Sequence, residues 1–229
     1  MWAIIDSRAP KKAIEKLKEE FDVFEFKSSG ITYEQVSGHP DIFICQDGEN
    51  LIIAPNSPKE LIKFLEFHNV KYSFGEKEVG IELNNSTQYN CIATNNYLIH
   101  KKGFTDKKVI STFTDKKVIN LPQAYTRCSL SAINDNNFIS SDRGIEKSLT
   151  ALGFNVLLVD PKSILLPGFP YGFFGGTNGI HNSKFYLIGS LKHHPEGEAI
   201  RVFLLKNNIE IIELYDGPLY DGGGIFFGI

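Results

Sequence analysis

The sequence predicts an α/β chain closed into a five-fold pseudo-symmetric ring, a β/α-propeller of ββαβ units with one unit completed by the N- and C-terminal strands. Three observations carry that prediction. First, an apolar strand, a polar helix start, an amphipathic helix and a second apolar strand recur five times. Second, the anchors Ala3, Leu51, Tyr97, Phe138 and Tyr186 lie 48, 46, 41 and 48 residues apart. Third, the first unit lacks its leading strand, and Gly222-Gly223-Gly224-Ile225-Phe226-Phe227 at the other end can supply it. Pairing Ile225–Phe227 with Trp2–Ile5 removes the free edge that an open sheet of βα units would keep.

Each unit follows from local chemistry. Trp2–Ile5 leads through Asp6-Ser7 into a helix over Pro10–Glu20, whose apolar stripe is Ala13, Ile14 and Leu17, and then into Val23–Phe26. Leu51–Ala54 leads through Asn56-Ser57-Pro58 into Lys59–His68 and then Val70–Phe74. There Ser57 is a candidate N-cap, Pro58 the first helical residue and Glu60 the third. Leu61, Ile62, Phe64 and Leu65 fall on one face of that helix. Tyr97–Ile99 leads through Thr105-Asp106 into Lys107–Phe113 and then Val118–Leu121. Phe138–Ser140 leads to Asp142, a cap for Arg143–Leu152 with Ile145, Leu149 and Leu152 inward. Gly153 ends that helix before Val156–Val159. Tyr186–Ile188 leads to Glu198–Lys206 and Ile209–Leu214. Short extended pieces at Asp41–Cys45, Tyr89–Ala93, Cys128–Ile133 and Thr177–Ile180 precede four of the anchors as the first strands of hairpins.

One segment sets context against propensity. Phe104–Ile110 and Phe113–Ile119 are the same heptapeptide, Phe-Thr-Asp-Lys-Lys-Val-Ile, nine residues apart. The register makes the first copy helical around Lys107–Ser111 and the second extended at Val118–Leu121.

Composition narrows the class. A chain of 229 residues, 42% hydrophobic, can bury one large core and reads as a single domain over 1–229. No apolar run reaches transmembrane length, charged residues follow Ile5 at once, and three scattered cysteines make no disulfide framework. A cytoplasmic location is expected, with no membrane partner. A net charge of −3, with lysines spread over helix faces, argues against nucleic acid. The lysine pairs at 101–102, 107–108 and 116–117 read as solvated surface. No metal-ligand spacing and no phosphate-loop lysine appear, so no metal and no cofactor are expected. His193-His194 falls in the loop before the fifth helix, on the outer side. No protein partner is named by any motif.

Three short segments resemble a known superfamily. Gly38-His39-Pro40-Asp41 looks like its His-x-Asp segment. Gly175-Gly176-Thr177-Asn178 looks like its double-glycine segment, with Thr177 where an acid or amide is usual. Asp221-Gly222-Gly223-Gly224-Ile225 looks like the glycine run before its nucleophile. Together with five ββαβ units, these resemble the pentein β/α-propeller, the guanidino-group-modifying fold of arginine deiminase, agmatine deiminase, dimethylarginine hydrolase and amidinotransferase. The superfamily also includes a non-enzymatic ribosome anti-association factor. The resemblance implies a central channel in which a thiolate attacks a guanidinium carbon, carboxylates hold its N–H groups and histidine moves protons. This chain departs at the nucleophile: Phe226, Phe227, Gly228 and Ile229 follow the glycines, and no cysteine lies beyond Cys128.

The candidate residues follow. Cys128, at the start of the third hairpin, is the candidate thiol, weighed against a small buried cysteine. Arg127 beside it is placed to lower the thiol pKa or to bind a substrate carboxylate. His39 and Asp41 complete the catalytic candidates, and Asn90, Arg127, Asn178 and Asp221 are the ligand-binding ones. Cys45 and Cys91 read as apolar core residues. Phe169, Tyr171, Phe173 and Phe174 read as core or as the wall of a pocket mouth. The expected ligand is small and polar or cationic, amino-acid- or guanidine-like, held in a binding or catalytic site of the central channel that lacks the usual C-terminal cysteine. The alternative is a non-enzymatic binding protein acting through a propeller face.

Overall fold

The computed structural model describes residues 1–228. The first unit contains β1 (Trp2–Asp6), α1 (Lys11–Leu17) and β2 (Asp22–Phe26). The second contains β3 (Ile44–Gln46), β4 (Leu51–Ile53), α2 (Lys59–Phe67) and β5 (Ser73–Phe74). The third opens on the single turn α3 (Leu83–Ser86), followed by β6 (Ile92–Ala93), β7 (Tyr97–His100), α4 (Lys107–Thr112) and β8 (Lys117–Asn120). The fourth opens on the single turn α5 (Thr126–Ser129), then β9 (Leu130–Ala132), β10 (Asn137–Ser140), α6 (Arg143–Ala151) and β11 (Asn155–Leu158). The fifth contains β12 (Asn178–His181), β13 (Lys184–Leu187), α7 (Gly197–Lys206) and β14 (Glu210–Glu213). The last strand is β15 (Phe226–Gly228).

These strands form five three-stranded sheets of one design. The middle strand pairs antiparallel with an inner strand and parallel with an outer one, the outer being reached through the helix. The first sheet is assembled across the chain: Trp2, Ala3 and Ile4 face Gly228, Phe227 and Phe226. The middle strands are almost wholly buried between the inner strands and the helices. Aromatic and branched aliphatic side chains fill the spaces between neighbouring blades, as where Trp2, Phe26, Phe43 and Leu61 meet. Among the described residues, no helix is long and apolar enough to cross a membrane.

The duplicated heptapeptide adopts two structures. The first copy enters α4 and the second enters β8. In the helix Val109 is buried and Ile110 exposed; in the strand Val118 is exposed and Ile119 buried. The periods of the two structures therefore reverse which member of one Val-Ile pair meets the core. The aspartates diverge too. Asp106 is buried and accepts hydrogen bonds from the backbone N–H groups of Lys108 at 2.8 Å and Lys77 at 2.9 Å, whereas Asp115 sits in an exposed turn.

Several expectations need correction. Ser57 does not cap α2: Pro58 holds the N-cap position without a side-chain bond, and the Ser57 hydroxyl has no partner among the described residues. Asn56 is occupied instead in holding Val79 through paired 2.9 Å bonds. Asp142 does cap α6, accepting from the Ile145 N–H at 2.9 Å. Leu152, however, lies at the C-cap and is 62% exposed, so the buried stripe ends at Leu149.

The correction that shapes the site concerns the inner strands. Three of them begin later than the apolar patterning implies, because the preceding residues wind into helical turns: Pro40–Ile42, α5 and Phe174–Thr177. Pro40 presets φ for such a turn. Asp41 and Cys128 therefore project from turns at the channel mouth, not from a pleated strand. The turn at Phe174–Thr177 packs against α5 so closely that a Cβ on Gly175 would lie 2.7 Å from the Cys128 carbonyl oxygen and 2.8 Å from the Leu130 nitrogen.

Two substitutions test this architecture. Asp106→Ala is expected to destabilise the protein by about 1–2 kcal/mol in chemical denaturation, because it strips a cap and removes the buried acceptor of the Glu76, Lys77 and Lys108 N–H groups. Asp115→Ala, in the identical sequence, should change stability by no more than about 0.5 kcal/mol; equal effects would contradict the assignment. Gly175→Ala is expected to lower stability by about 1–3 kcal/mol, since its neighbours are backbone atoms and cannot rotate away. An unchanged denaturation midpoint would show that the two turns are not in contact.

Candidate functional site

Five of the candidate residues meet at one end of the channel. Cys128 donates its thiol proton to Asp41 Oδ2 at 2.9 Å. The Asn90 amide donates to Cys128 Sγ at 3.1 Å and to the Asp41 carbonyl at 3.3 Å. Asn90 Oδ1 in turn accepts the backbone N–H groups of Arg127 at 2.8 Å and Cys128 at 3.3 Å, so this one side chain ties two blades together at the thiol. His39, on the loop before the Pro40–Ile42 turn, stands between two acids. Its Nδ1 lies 3.9 Å from Asp221 Oδ1 and its Nε2 lies 3.9 Å from Asp6 Oδ2. Asp221 is anchored by the N–H groups of Phe173 at 2.8 Å and Gly223 at 3.1 Å. Gly223 (φ +67°) comes so near that a Cβ there would sit 2.5 Å from His39 Cβ, so the glycine run is what lets the chain pass this site.

Burial sets the charge states. His39, Asp41, Cys128 and Asp221 are each at most 5% exposed. Burial pushes the Cys128 thiol well above its ordinary range, and the nearby Asp41 and Asp221 carboxylates add to the rise. Burial raises Asp41 to about 6, against the opposing charge of Arg127. Asp221 is raised by the same cause, with His39 opposing. His39 is lowered by burial, which outweighs the attraction of Asp221 and Asp6. Asp6 itself is tied up by Arg8, which donates to it through Nε at 3.0 Å and Nη2 at 2.7 Å. The ligand-free floor is therefore a set of mutually repelling acids around a neutral imidazole and a protonated thiol. Both His39 nitrogens and Asp41 Oδ1 are buried with no hydrogen-bond partner among the described residues.

Above this floor lies a cavity of about 330 Å³, within the size range of small-molecule sites. His39, Cys128 and Asp221 form its polar base, and Tyr33, Tyr125, Phe169, Tyr171 and Phe173 wall it. A hydroxyl chain braces one wall: Tyr33 to Tyr125 at 3.0 Å and Tyr125 to Ser86 at 2.7 Å. Phe174 is not part of the wall; it is fully buried and stacked on Phe185.

Arg127 and Asn178 stand elsewhere. The Arg127 guanidinium turns to the other mouth, donates to the Gly175 carbonyl at 3.2 Å and the Ile225 carbonyl at 3.3 Å, and stacks on Phe226 at 4.5 Å. With Asn178 and Ser131 it lines a second cavity of about 200 Å³. It therefore lies outside the Cys128 cavity, contrary to the expectation that it would sit beside the thiol. Position i and i+1 on a helical turn diverge by about 100°, which separates the two neighbours. Cys45 and Cys91 are buried, as read from the sequence, with their sulfurs 3.2 Å apart. His193 pairs with Asp216 at 2.7 Å on the surface, and His194 meets the Asp160 carbonyl at 3.1 Å. Tyr33, Tyr125 and Asp6 were not singled out from the sequence. Tyr125 lies one helical turn before Cys128, which is the one local signal that joins them.

No curated protein matches the chain by sequence. Among solved structures, the Pseudomonas aeruginosa protein DDAH, complexed with citrulline, superposes with a TM-score of 0.52 at 10% identity, covering 92% of this chain and 90% of that one. C. jejuni agmatine deiminase with substrate bound gives 0.55 at 12% identity, covering 91% and 78%. An amidinotransferase from Microseira wollei, of the saxitoxin biosynthetic pathway, gives 0.52 at 10% identity, covering 92% and 87%. The fold is thus the pentein β/α-propeller. The family model described as "Family of unknown function (DUF6873)" matches residues 4–226, and the chain belongs to that family.

Proposed function

We propose that the aromatic-walled cavity binds a small cationic or zwitterionic ligand carrying a guanidinium or amine group, with Asp221 facing the cation and the buried Asp41 charge lying beneath, against the Cys128 thiol. The observation that carries this reading is the conflict on the floor: the buried acids Asp41 and Asp221 beside a thiol, with no Lys or Arg ion pair to either among the described residues, beneath five aromatic side chains. A cation over aromatic faces and against carboxylates relieves both the repulsion and the unpaired acceptor. The guanidine chemistry of the structural neighbours supports the same class of ligand. Any transformation at this site uses Cys128 as nucleophile and His39 as proton carrier, with Asp41 accepting from the thiol and Asp221 as the carboxylate that holds the cation. Burial keeps the free thiol protonated, so a bound cation is what would stabilise the thiolate. The alternative of a binding protein acting through a propeller face is less well supported, because the channel floor is ionisable and not plugged by apolar side chains.

Asp41 links this reading to stability. Its pKa is higher folded than unfolded, so its contribution to stability is present below the unfolded value of 3.8 and is lost as pH rises through about 6. At pH well above 6 the buried carboxylate is a liability on the order of 3 kcal/mol.

Three outcomes are expected. Agmatine or arginine should raise the melting temperature by roughly 5–11 °C at about 100-fold excess over Kd. Urea, which carries no charge, should do so far less, and stabilisation by uncharged or anionic analogues alone would contradict the proposal. Asp41→Asn should reduce cation binding severalfold, because it removes a buried negative charge beneath the cavity floor. It should also raise the melting temperature at pH 7.5 but not at pH 4; destabilisation at both would refute the linkage. Hydrolysis of arginine, agmatine or dimethylarginine at the rate of an ordinary enzyme is not expected without a cysteine after Gly224. Robust turnover that Cys128→Ala abolishes would overturn that expectation and make Cys128 a relocated nucleophile.

A further inference from the structure

We infer that His39, Asp41 and Cys128 form a binding site for one divalent transition metal ion of the zinc class, at the floor of the aromatic-walled cavity. The inference goes beyond the organic ligand proposed above and does not need one to be bound.

Four observations carry it. One ligand atom from each residue lies within 4.8 Å of the others, and all three residues are buried. Donor atoms around a tetrahedral zinc ion are about 3.5 Å apart, given bond lengths of about 2.0–2.3 Å. Closing the set thus takes about 1 Å of side-chain movement. The second observation is the unpaired atoms. Both His39 nitrogens and Asp41 Oδ1 are buried without partners among the described residues, and a metal ion would engage one nitrogen and that oxygen. Third, one sulfur, one imidazole nitrogen and one carboxylate oxygen form a borderline-soft set that suits zinc or cobalt and disfavours magnesium or calcium.

The fourth observation is a built outer layer. The Asn90 amide, clamped by two backbone N–H groups, donates to Cys128 Sγ. Asp221 and Asp6 lie 3.9 Å from the two His39 nitrogens, so whichever nitrogen is left free by the metal has a carboxylate to steady it. With three protein ligands, the fourth position opens toward the cavity that Cys128 and His39 line. Binding forms the sulfur–metal bond while the thiol proton leaves to solvent, with no change of oxidation state.

The test uses the full-length protein freed of metal by a chelator and then titrated with cobalt(II). One equivalent should bind with a thiolate-to-cobalt charge-transfer band in the near ultraviolet. X-ray absorption on the zinc-loaded wild type should show one sulfur among nitrogen and oxygen ligands. Cys128→Ala should remove the band, and His39→Gln should weaken zinc binding at least about tenfold. Cys45→Ala should leave the band intact. Absence of stoichiometric binding to the wild type would overturn the inference. So would a two-sulfur shell, or a band lost in Cys45→Ala, since either assigns the metal to Cys45 and Cys91. The wild-type measurements decide even where a variant fails to fold. Titrating agmatine in excess chelator keeps the two proposals separate, because the organic ligand is then measured without metal.

Discussion

The antiparallel pairing of β15 with β1 is the constraint on which the rest depends. It joins residues more than 200 positions apart in the sequence, through the register Ala3↔Phe227 and Ile4↔Phe226. Without it the first sheet is two strands with a free edge. The same pairing fixes where the chain before β15 must run. Asp221 and Gly223 lie on that lead-in, which is also held by the Asp221 N–H on the Leu165 carbonyl at 2.8 Å and the Gly224 N–H on the Gly176 carbonyl at 2.8 Å, and the Gly223 N–H anchors the Asp221 carboxylate. Ring closure and the channel floor thus share one segment of chain, so a change that loosens β15 bears directly on the residues beside His39.

What closure assembles is electrostatically costly. Three buried carboxylates, at residues 6, 41 and 221, surround one imidazole. Arg8 neutralises the first through paired hydrogen bonds. The other two have no such partner; Arg127 acts on Asp41 only through its charge from the opposite mouth. A protein optimised for stability alone would fill this space with apolar side chains. The cluster is held in place by Asn90, whose amide is satisfied at both ends and is the one neutral side chain that touches the thiol, the backbone of α5 and the Asp41 carbonyl.

The architecture was readable because its signals are periodic. The repeat spacing, the Asp142 cap and Gly153 (φ +89°) all stand in the structure as the sequence implies. The duplicated heptapeptide shows why register outranks propensity: identical residues became helix and strand, and the unit around each copy decided which. The site was readable in part. His39, Asp41, Asn90, Cys128 and Asp221 share a position in the repeat, ahead of an inner strand, and ring closure converts that into proximity. Arg127 and Asn178 share it too, yet turn to the other mouth. Facing is decided by the one-turn helices before the strands, which apolar alternation does not encode. The aromatic wall came from three separate loops, so Tyr33 carried no sequence signal linking it to Phe169 or Tyr125. Ser57 failed as a cap because Pro58 already occupies that position.

The central claim is that the buried thiol and Asp41 are held in a strained charge balance that a cation relieves. Carbon-13 NMR titration of the ligand-free protein, labelled at cysteine and aspartate, measures this directly. The account predicts a Cys128 thiol that stays protonated well above neutral pH and an Asp41 carboxyl that titrates near about 6. It also predicts that both pKa values fall when a cation binds. A Cys128 thiolate at neutral pH in the ligand-free protein, or an Asp41 carboxyl with an ordinary pKa, would contradict it.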